Sequence, residues 1–352
     1  MTHETYMHRC LGLAETGMRA AMPNPSVGAV LVHNGRIIGE GHTSPYGGPH
    51  GEVNCINSVK PEDKHLINQS TLYVTLEPCS HYGKTPPCCD LIIAQQIPNI
   101  VVGTVDPHVK VAGNGIKKLR EAGKNVTVGI LEAECRESNR RFFTFHEKQR
   151  PYIILKWAES ADGFLAPLRR SVITEDKKPV WITNPYSRQL VHKWRSEEAT
   201  ILVGTHTVID DNPQLDVRSW TGPQPVRIVL DRTNRISGNY NVKNQKIKTI
   251  VLTECPDLPN LENLLYEQVP FDANLLQSVC GVLHSHGLLS VIIEGGYKTL
   301  QGFIDCNLWD EARIFKGNAV FSNGTPAPQL TGQLTARDTI VNDELLIFRN
   351  YG

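Results

Sequence analysis

Apolar residues recur at helical spacing near the start of the chain. Met7, Cys10, Leu11, Leu13 and Ala14 put one face on a helix over residues 4–20. Val27–Val32 and Arg36–Gly39 then read as two strands joined by His33-Asn34-Gly35, and Asn-Gly between apolar runs is a strong hairpin signal. Further strands are predicted at Thr71–Leu76, Ile100–Val105 and Val126–Gly129, with helices at Cys89–Gln96 and Ile116–Ala122. Short apolar strands return at Tyr152–Trp157, Ile201–Gly204, Arg227–Asp231, Thr249–Thr253 and Ser290–Ile293, with helices at Asn184–Glu197 and Tyr297–Ile304.

Alternating strands and helices predict an α/β class with sheets covered on both faces. Composition shifts along the charged stretch from Arg140 to Pro151, which reads as a linker. Two domains are expected, residues 1–147 and 148–352. The 352-residue length accommodates both.

Charge narrows the partners. Lys plus Arg and Asp plus Glu balance at 36 each, so the basic footprint of a nucleic-acid binder is absent from the total. No apolar run approaches the ~20 residues of a membrane span, and no signal-peptide core follows Met1. Nine cysteines, several in a metal-type motif, point to a reducing cytoplasm and not to a disulfide framework.

The chemistry concentrates in His50-Gly51-Glu52, followed by Pro78-Cys79 and Pro87-Cys88. An imidazole and two thiolates fill three corners of a tetrahedral Zn²⁺ and leave the fourth open for water. The metal brings the pKa of that water to about 7, and the acid two residues after the His shuttles protons. The pattern therefore names hydrolytic loss of ammonia from an amino-substituted heterocycle, with His50, Cys79 and Cys88 as ligands and Glu52 as the catalytic acid/base. Each element stands at a Gly- or Pro-marked turn; probable helices follow His50 and open at Cys88, where the N-terminus favours a thiolate. Spacing leaves Cys89 open as the third ligand; the Pro-Cys adjacency favours Cys88.

Two glycine turns invite a nucleotide reading. Gly113-Asn114-Gly115 lacks a strand running into it and a third glycine, so it reads as a helix-entry turn. Glu294-Gly295-Gly296 follows a strand and precedes a helix, a geometry that brings backbone N–H groups close to an anion.

The run Thr75-Leu76-Glu77-Pro78-Cys79-Ser80-His81-Tyr82-Gly83-Lys84-Thr85-Pro86-Pro87-Cys88 resembles the zinc motif of the RibD family, the bifunctional deaminase/reductases of riboflavin biosynthesis. Pro23-Asn24-Pro25-Ser26-Val27-Gly28 resembles it too. In the second half Lys156–Gly163, Trp181-Ile182-Thr183, Thr207–Pro213 and Val226–Asp231 continue the resemblance, which covers nearly the whole chain.

The resemblance implies an N-terminal cytidine-deaminase-like α/β/α sandwich and a C-terminal dihydrofolate-reductase-like α/β domain that uses NADPH. It implies zinc-dependent deamination of 2,5-diamino-6-ribosylamino-4(3H)-pyrimidinone 5′-phosphate, then reduction of the ribosyl chain to ribityl. Asn24, His42, His81 and Lys84 match deaminase substrate contacts. Ala158, Trp181, Thr207, Asp211, Gly295 and Gly296 match NADPH contacts; Arg195, Leu215, Arg218 and Glu294 match reductase substrate contacts. Partners are then small pyrimidine ribose phosphates, with no nucleic acid and no membrane, and a homo-oligomer is expected.

The chain departs from the family pattern at Gly51, usually Ala, and at Ala161, usually Leu. Pro179 stands where Ser is usual, and residues 168–178 differ in character. Gly in a helix costs about 1 kcal/mol relative to Ala, so local softness is expected at Gly51. The rival reading is a nucleotide or nucleic-acid deaminase with a non-catalytic C-terminal nucleotide-binding module.

Overall fold

A computed structural model describes residues 2–83, 86–107, 112–168 and 180–352. Lys84, Pro179 and all but the first residue of the divergent 168–178 segment lie outside them. The chain divides into two compact units, residues 1–149 and 150–352.

The first unit opens with α1 (His3–Ala21), whose start is capped by the Thr2 side chain accepting from the Thr5 N–H. Tyr6, Met7, Cys10, Ala14, Gly17 and Ala21 are buried along one stripe. The hairpin β1 (Gly28–His33) and β2 (Arg36–His42) follows, then α2 (Gly51–Asn57), a 3₁₀ segment Pro61–Gln69, and β3 (Thr71–Leu76). The unit continues as α3 (Cys88–Ala94), β4 (Asn99–Thr104), α4 (Asn114–Glu121), β5 (Asn125–Val128), α5 (Glu132–Ser138) and α6 (Arg140–Lys148). Its sheet runs β2-β1-β3-β4-β5. β1 pairs antiparallel with both neighbours, whereas β3, β4 and β5 are parallel.

One expectation is corrected here. Most of the charged stretch from Arg140 is helix α6, not linker. Its Phe142, Phe143 and Phe145 are buried, and so is Arg141. Apolar residues set among charges made a linker of what is an amphipathic helix, and the units divide after it.

The second unit contains β6 (Tyr152–Glu159), β7 (Phe164–Pro167), α7 (Pro185–Glu197), β8 (Thr200–Gly204), α8 (Thr205–Asp211) and β9 (Val226–Leu230). A 3₁₀ turn at Asn241–Lys243 leads to β10 (Thr249–Thr253), β11 (Leu264–Gln268), α9 (Leu275–Ser285), β12 (Ser290–Ile293) and α10 (Tyr297–Asp305). β13 (Glu311–Lys316), β14 (Gly324–Pro326), β15 (Gln333–Ile340) and β16 (Asp343–Arg349) close the chain.

Among the described residues nine strands form one sheet, β11-β10-β9-β8-β12-β6-β13-β16-β15. It is parallel from β11 to β13 and antiparallel across β16 and β15. Side chains alternate between two cores, as the period of a strand demands. Ile153, Leu155 and Trp157 of β6 enter one; Tyr152 and Ile154 enter the other. Burial on both faces is why these strands read as continuous apolar runs. β12 lies between β8 and β6, and the crevice beyond the carboxyl ends of such strands is where open α/β sheets bind ligands.

Among the described residues no helix is long and apolar enough to cross a membrane.

Candidate active sites

Three local structures converge in the first unit. His50 is the N-cap of α2, Cys79 follows the end of β3, and Cys88 opens α3 behind Pro87. Pro87 suits that place because its fixed φ is compatible with helix entry. The His50 Nδ1 lies 3.6 Å from the Cys79 sulfur and 3.4 Å from the Cys88 sulfur. All three ligand atoms fall within 4.8 Å of one another, a spacing that suits one tetrahedral cation. Among the described residues it is the one such group.

Cys89 points away from the cluster. Its thiol donates to the Pro78 carbonyl at 3.3 Å, and the residue is fully buried. The alternative left open by the spacing is thus settled for Cys88 by geometry.

Electrostatics support a sulfur-ligated centre. The Cys88 thiol stands against Cys79 and, with His50 and against the effect of burial, lowers the Cys79 pKa to about 4. The Cys79 sulfur also accepts the Cys88 backbone N–H at 3.3 Å. His50 is raised by its bond to Cys79. Glu52, in the first turn of α2, is 3 % exposed. Burial, with the Cys79 sulfur adding to it, pushes its carboxyl up to about 7.

Gly51 corrects a second expectation. An added Cβ there would lie 2.5 Å from the Val27 carbonyl oxygen. The glycine lets α2 sit directly on the segment before β1, so the position is close-packed, not soft. That segment follows the turn carrying Asn24, which is half-buried. His42 ends β2, and its carbonyl accepts from the Asn54 side chain of α2 at 2.7 Å. His81 is exposed two residues beyond Cys79. Lys84 lies outside the described residues.

In the second unit Glu294 continues β12, its N–H donating to the Leu202 carbonyl at 2.9 Å. Its carboxylate accepts from Arg195 Nε at 3.0 Å and Nη2 at 2.8 Å. Lys156 Nζ of β6 stands 3.6 Å away. The three side chains are 10 %, 11 % and 16 % exposed respectively. Burial raises the Glu294 pKa, but Arg195 and Lys156 outweigh it and hold the carboxyl at about 2. Burial lowers the Lys156 pKa. Lys156 belongs to the matched run Lys156–Gly163, and nothing in its sequence context marks it as the third member of a buried triad.

The other matched positions differ in what they offer. Arg195 already has its fork on Glu294, with Nη1 on the Asp216 carbonyl at 3.2 Å. Arg218 is half-exposed, with Nη1 on the Asp216 carboxylate at 2.5 Å. Leu215 is 3 % exposed and its side chain belongs to the core, so only its backbone can meet a ligand. His192, also missed, pins the Asp216 carbonyl at 2.9 Å from α7.

Gly296, the N-cap of α10, supplies no side-chain cap, and its N–H donates to Thr207 Oγ1 at 3.1 Å. It is exposed, and an added Cβ would meet nothing nearer than that hydroxyl at 3.7 Å. Gly296 therefore leaves room beside the N-terminus of α10, a kind of place that suits a phosphate group. Asp211 ends α8, Ala158 is half-buried in β6, and Trp181 is 58 % exposed with Arg188 stacked 4.5 Å from its ring.

Comparison with known proteins agrees with this division. Residues 1–104 match the cytidine and deoxycytidylate deaminase zinc-binding region, and residues 151–344 match the RibD C-terminal domain. The riboflavin biosynthesis protein RibD of Aquifex aeolicus is 38 % identical over 325 residues, 91 % of this chain and 88 % of that protein. A crystal structure from Thermotoga maritima, described as a diaminohydroxyphosphoribosylaminopyrimidine deaminase/5-amino-6-(5-phosphoribosylamino)uracil reductase, superposes with TM-score 0.87. It is 35 % identical and covers 99 % of this chain and 98 % of its own. Acinetobacter baumannii RibD superposes with TM-score 0.85 at 28 % identity, again over 99 % and 98 %. With a His/Cys/Cys centre in one α/β unit and a reductase sheet in the other, the chain belongs to the RibD family of bifunctional riboflavin-biosynthesis deaminase/reductases.

Proposed function

We propose that the first unit deaminates 2,5-diamino-6-ribosylamino-4(3H)-pyrimidinone 5′-phosphate at its 2-amino group. The second unit then reduces the ribosyl chain of the product to ribityl with NADPH. One observation carries the reading: the His50, Cys79 and Cys88 cluster with Glu52 buried against it, in a chain that shares its fold end to end with the Thermotoga enzyme.

The donor set fits zinc, with two sulfurs and one imidazole leaving a fourth tetrahedral position. Bound there, zinc supplies Lewis-acid activation of water near neutral pH. Glu52 handles the protons. Burial holds its carboxyl at about 7, so it can take one proton from the attacking water and pass it to the ring nitrogen, then take the second from the hydroxyl now on the ring carbon and give it to the departing amine. A neutral ring is a poor electrophile, which makes that ring protonation the step Glu52 must supply. Asn24, His42, His81 and Lys84 are assigned to the pyrimidine and its ribose phosphate.

In the second unit the N-terminus of α10, with room beside Gly296, fits a cofactor phosphate. Gly295, Gly296, Thr207, Ala158, Trp181 and Asp211 are assigned to NADPH, which supplies hydride when bound. The substrate falls to Glu294, Arg195, Arg218 and the Leu215 backbone. Arg195 acts there by fixing Glu294 and the Asp216 carbonyl, and Arg218 offers the more exposed guanidinium. Nine free cysteines suit a reducing cytoplasm, and the enzyme is expected to assemble as a homo-oligomer.

The test follows ammonia release and NADPH oxidation separately on the zinc-loaded protein. Both signals are expected. Glu52→Gln should keep its zinc and lose deamination by at least about 10²-fold, while NADPH oxidation with the deaminated substrate persists. Full ammonia release from zinc-loaded Glu52→Gln would remove Glu52 from the mechanism.

A further inference from the structure

Glu77 stands two residues before Cys79 and is 4 % exposed. Among the described residues its carboxylate accepts four backbone N–H groups. Oε1 takes Gly115 at 2.8 Å and Ile116 at 3.2 Å; Oε2 takes Gly113 at 2.9 Å and Asp106 at 3.2 Å. Three of these donors belong to the entry and first turn of α4, where orphan N–H groups and the helix dipole both favour a negative charge. The turn Gly113-Asn114-Gly115 is thus filled from inside the chain. Gly113 enters the helix at φ +77°, and an added Cβ on Gly115 would lie 2.1 Å from the Pro78 carbonyl oxygen. The start of α4 is pressed directly against the residue between Glu77 and Cys79.

The consequence reaches the metal ligands. The Glu77 N–H donates to the Thr104 carbonyl at 2.9 Å, so its backbone is tied to β4 while its side chain is tied to α4. Pro78 accepts from the Cys89 thiol, and the Cys79 carbonyl accepts from the Cys89 N–H at 3.1 Å. Cys79 therefore leaves the sheet from a segment clamped on both sides. The α3 contacts come from the neighbouring cysteines. The α4 contact comes from Glu77 alone among the side chains of that segment.

We propose that Glu77 is a positioning residue for Cys79: its carboxylate, closed over the N-terminus of α4, fixes the end of β3 from which the metal-ligating sulfur extends. The inference rests on the reading of His50, Cys79 and Cys88 as a zinc site. A glutamine at 77 keeps the size but offers one acceptor oxygen, and its amide group would face N–H donors with no acceptor. The sulfur would then be less well placed, although no ligand has changed.

The experiment uses the full-length protein with Glu77→Gln and Glu77→Asp. Zinc affinity is read by chelator competition. Cobalt-substituted protein is read by its ligand-field and thiolate charge-transfer bands at saturating metal. Glu77→Gln should weaken zinc binding by about 10- to 100-fold, the usual effect of losing a group that orients a ligand. Its cobalt bands should shift, because the sulfur geometry has changed. Glu77→Asp keeps the charge on a shorter arm and should fall between Glu77→Gln and wild type. The melting transition of the first unit, followed by calorimetry on the same protein, reports that each variant is folded. Wild-type zinc affinity and unshifted bands in both variants would overturn the proposal and leave the zinc reading intact. If Glu77→Gln does not fold, wild-type values for Glu77→Asp alone overturn it. A wild-type protein that binds no zinc would overturn the underlying reading instead.

Discussion

Glu294→Gln is the most discriminating perturbation of the second unit. Among the described residues Glu294 is the single carboxylate between Arg195 and Lys156, and all three side chains are at least four-fifths buried. Removing one partner of a buried ion pair costs about 3–5 kcal/mol, because the remaining charge loses its compensation. Here two cations are left. Lys156 can relieve part of the cost by losing its proton, since burial already lowers its pKa. Arg195 has no such escape. A loss near the lower bound, about 3 kcal/mol, follows. For a unit of this size about 1 kcal/mol moves the midpoint by about 2–4 °C, so the transition should fall by roughly 6–12 °C. Scanning calorimetry of the full-length protein measures it, with the transition of the first unit as internal reference. Arg195→Met combined with Glu294→Leu should recover part of the loss, because both paired charges then leave together. A shift under about 2 °C for Glu294→Gln, or a double variant worse than the sum of the singles, would refute the buried triad.

Three further outcomes are expected. Cys88→Ser should lose bound zinc whereas Cys89→Ser should keep it, read as metal per chain by atomic emission; loss in both would mean that the Cys89 thiol is not confined to its bond with Pro78. Gly51→Ala separates propensity from packing. Helix propensity alone would stabilise the first unit by about 1 kcal/mol, whereas a Cβ 2.5 Å from the Val27 oxygen should destabilise it by about 1–3 kcal/mol, and the sign of the melting shift decides. Acid should weaken the second unit through Glu294. Its folded pKa of about 2 is below the ordinary carboxyl value near 4.3, so its contribution is complete above about pH 5 and is lost as pH falls towards 2. Denaturant midpoints from pH 6 to pH 2 measure this. Glu294→Gln should flatten the profile, and an identical slope in both proteins would count against Glu294 as the titrating group.

The chain by itself determined the two α/β units, the strands of the first, the central parallel run β10-β9-β8-β12-β6 of the second, and the candidate zinc ligands. These are local or strictly ordered signals: an apolar run, an Asn-Gly turn, Pro-Cys at a helix start. His50, Cys79 and Cys88 were legible because metal chemistry admits few residue types and each sits at a marked turn. Helix α6 was not, because a charged surface with three buried phenylalanines has the composition of a linker until its partner core is present. The Pro-Cys adjacency favoured Cys88, and the tertiary structure decided it against Cys89. Adjacent residues on a helix diverge by about 100°, and the sheet decides which one faces the metal. Only the fold could show that Gly51 answers to a carbonyl 24 positions away, that Glu77 closes the start of α4, and that Lys156, Arg195 and Glu294 meet. These contacts join β6, α7 and β12, and nothing in the residues near each one says which distant strand will lie beside it.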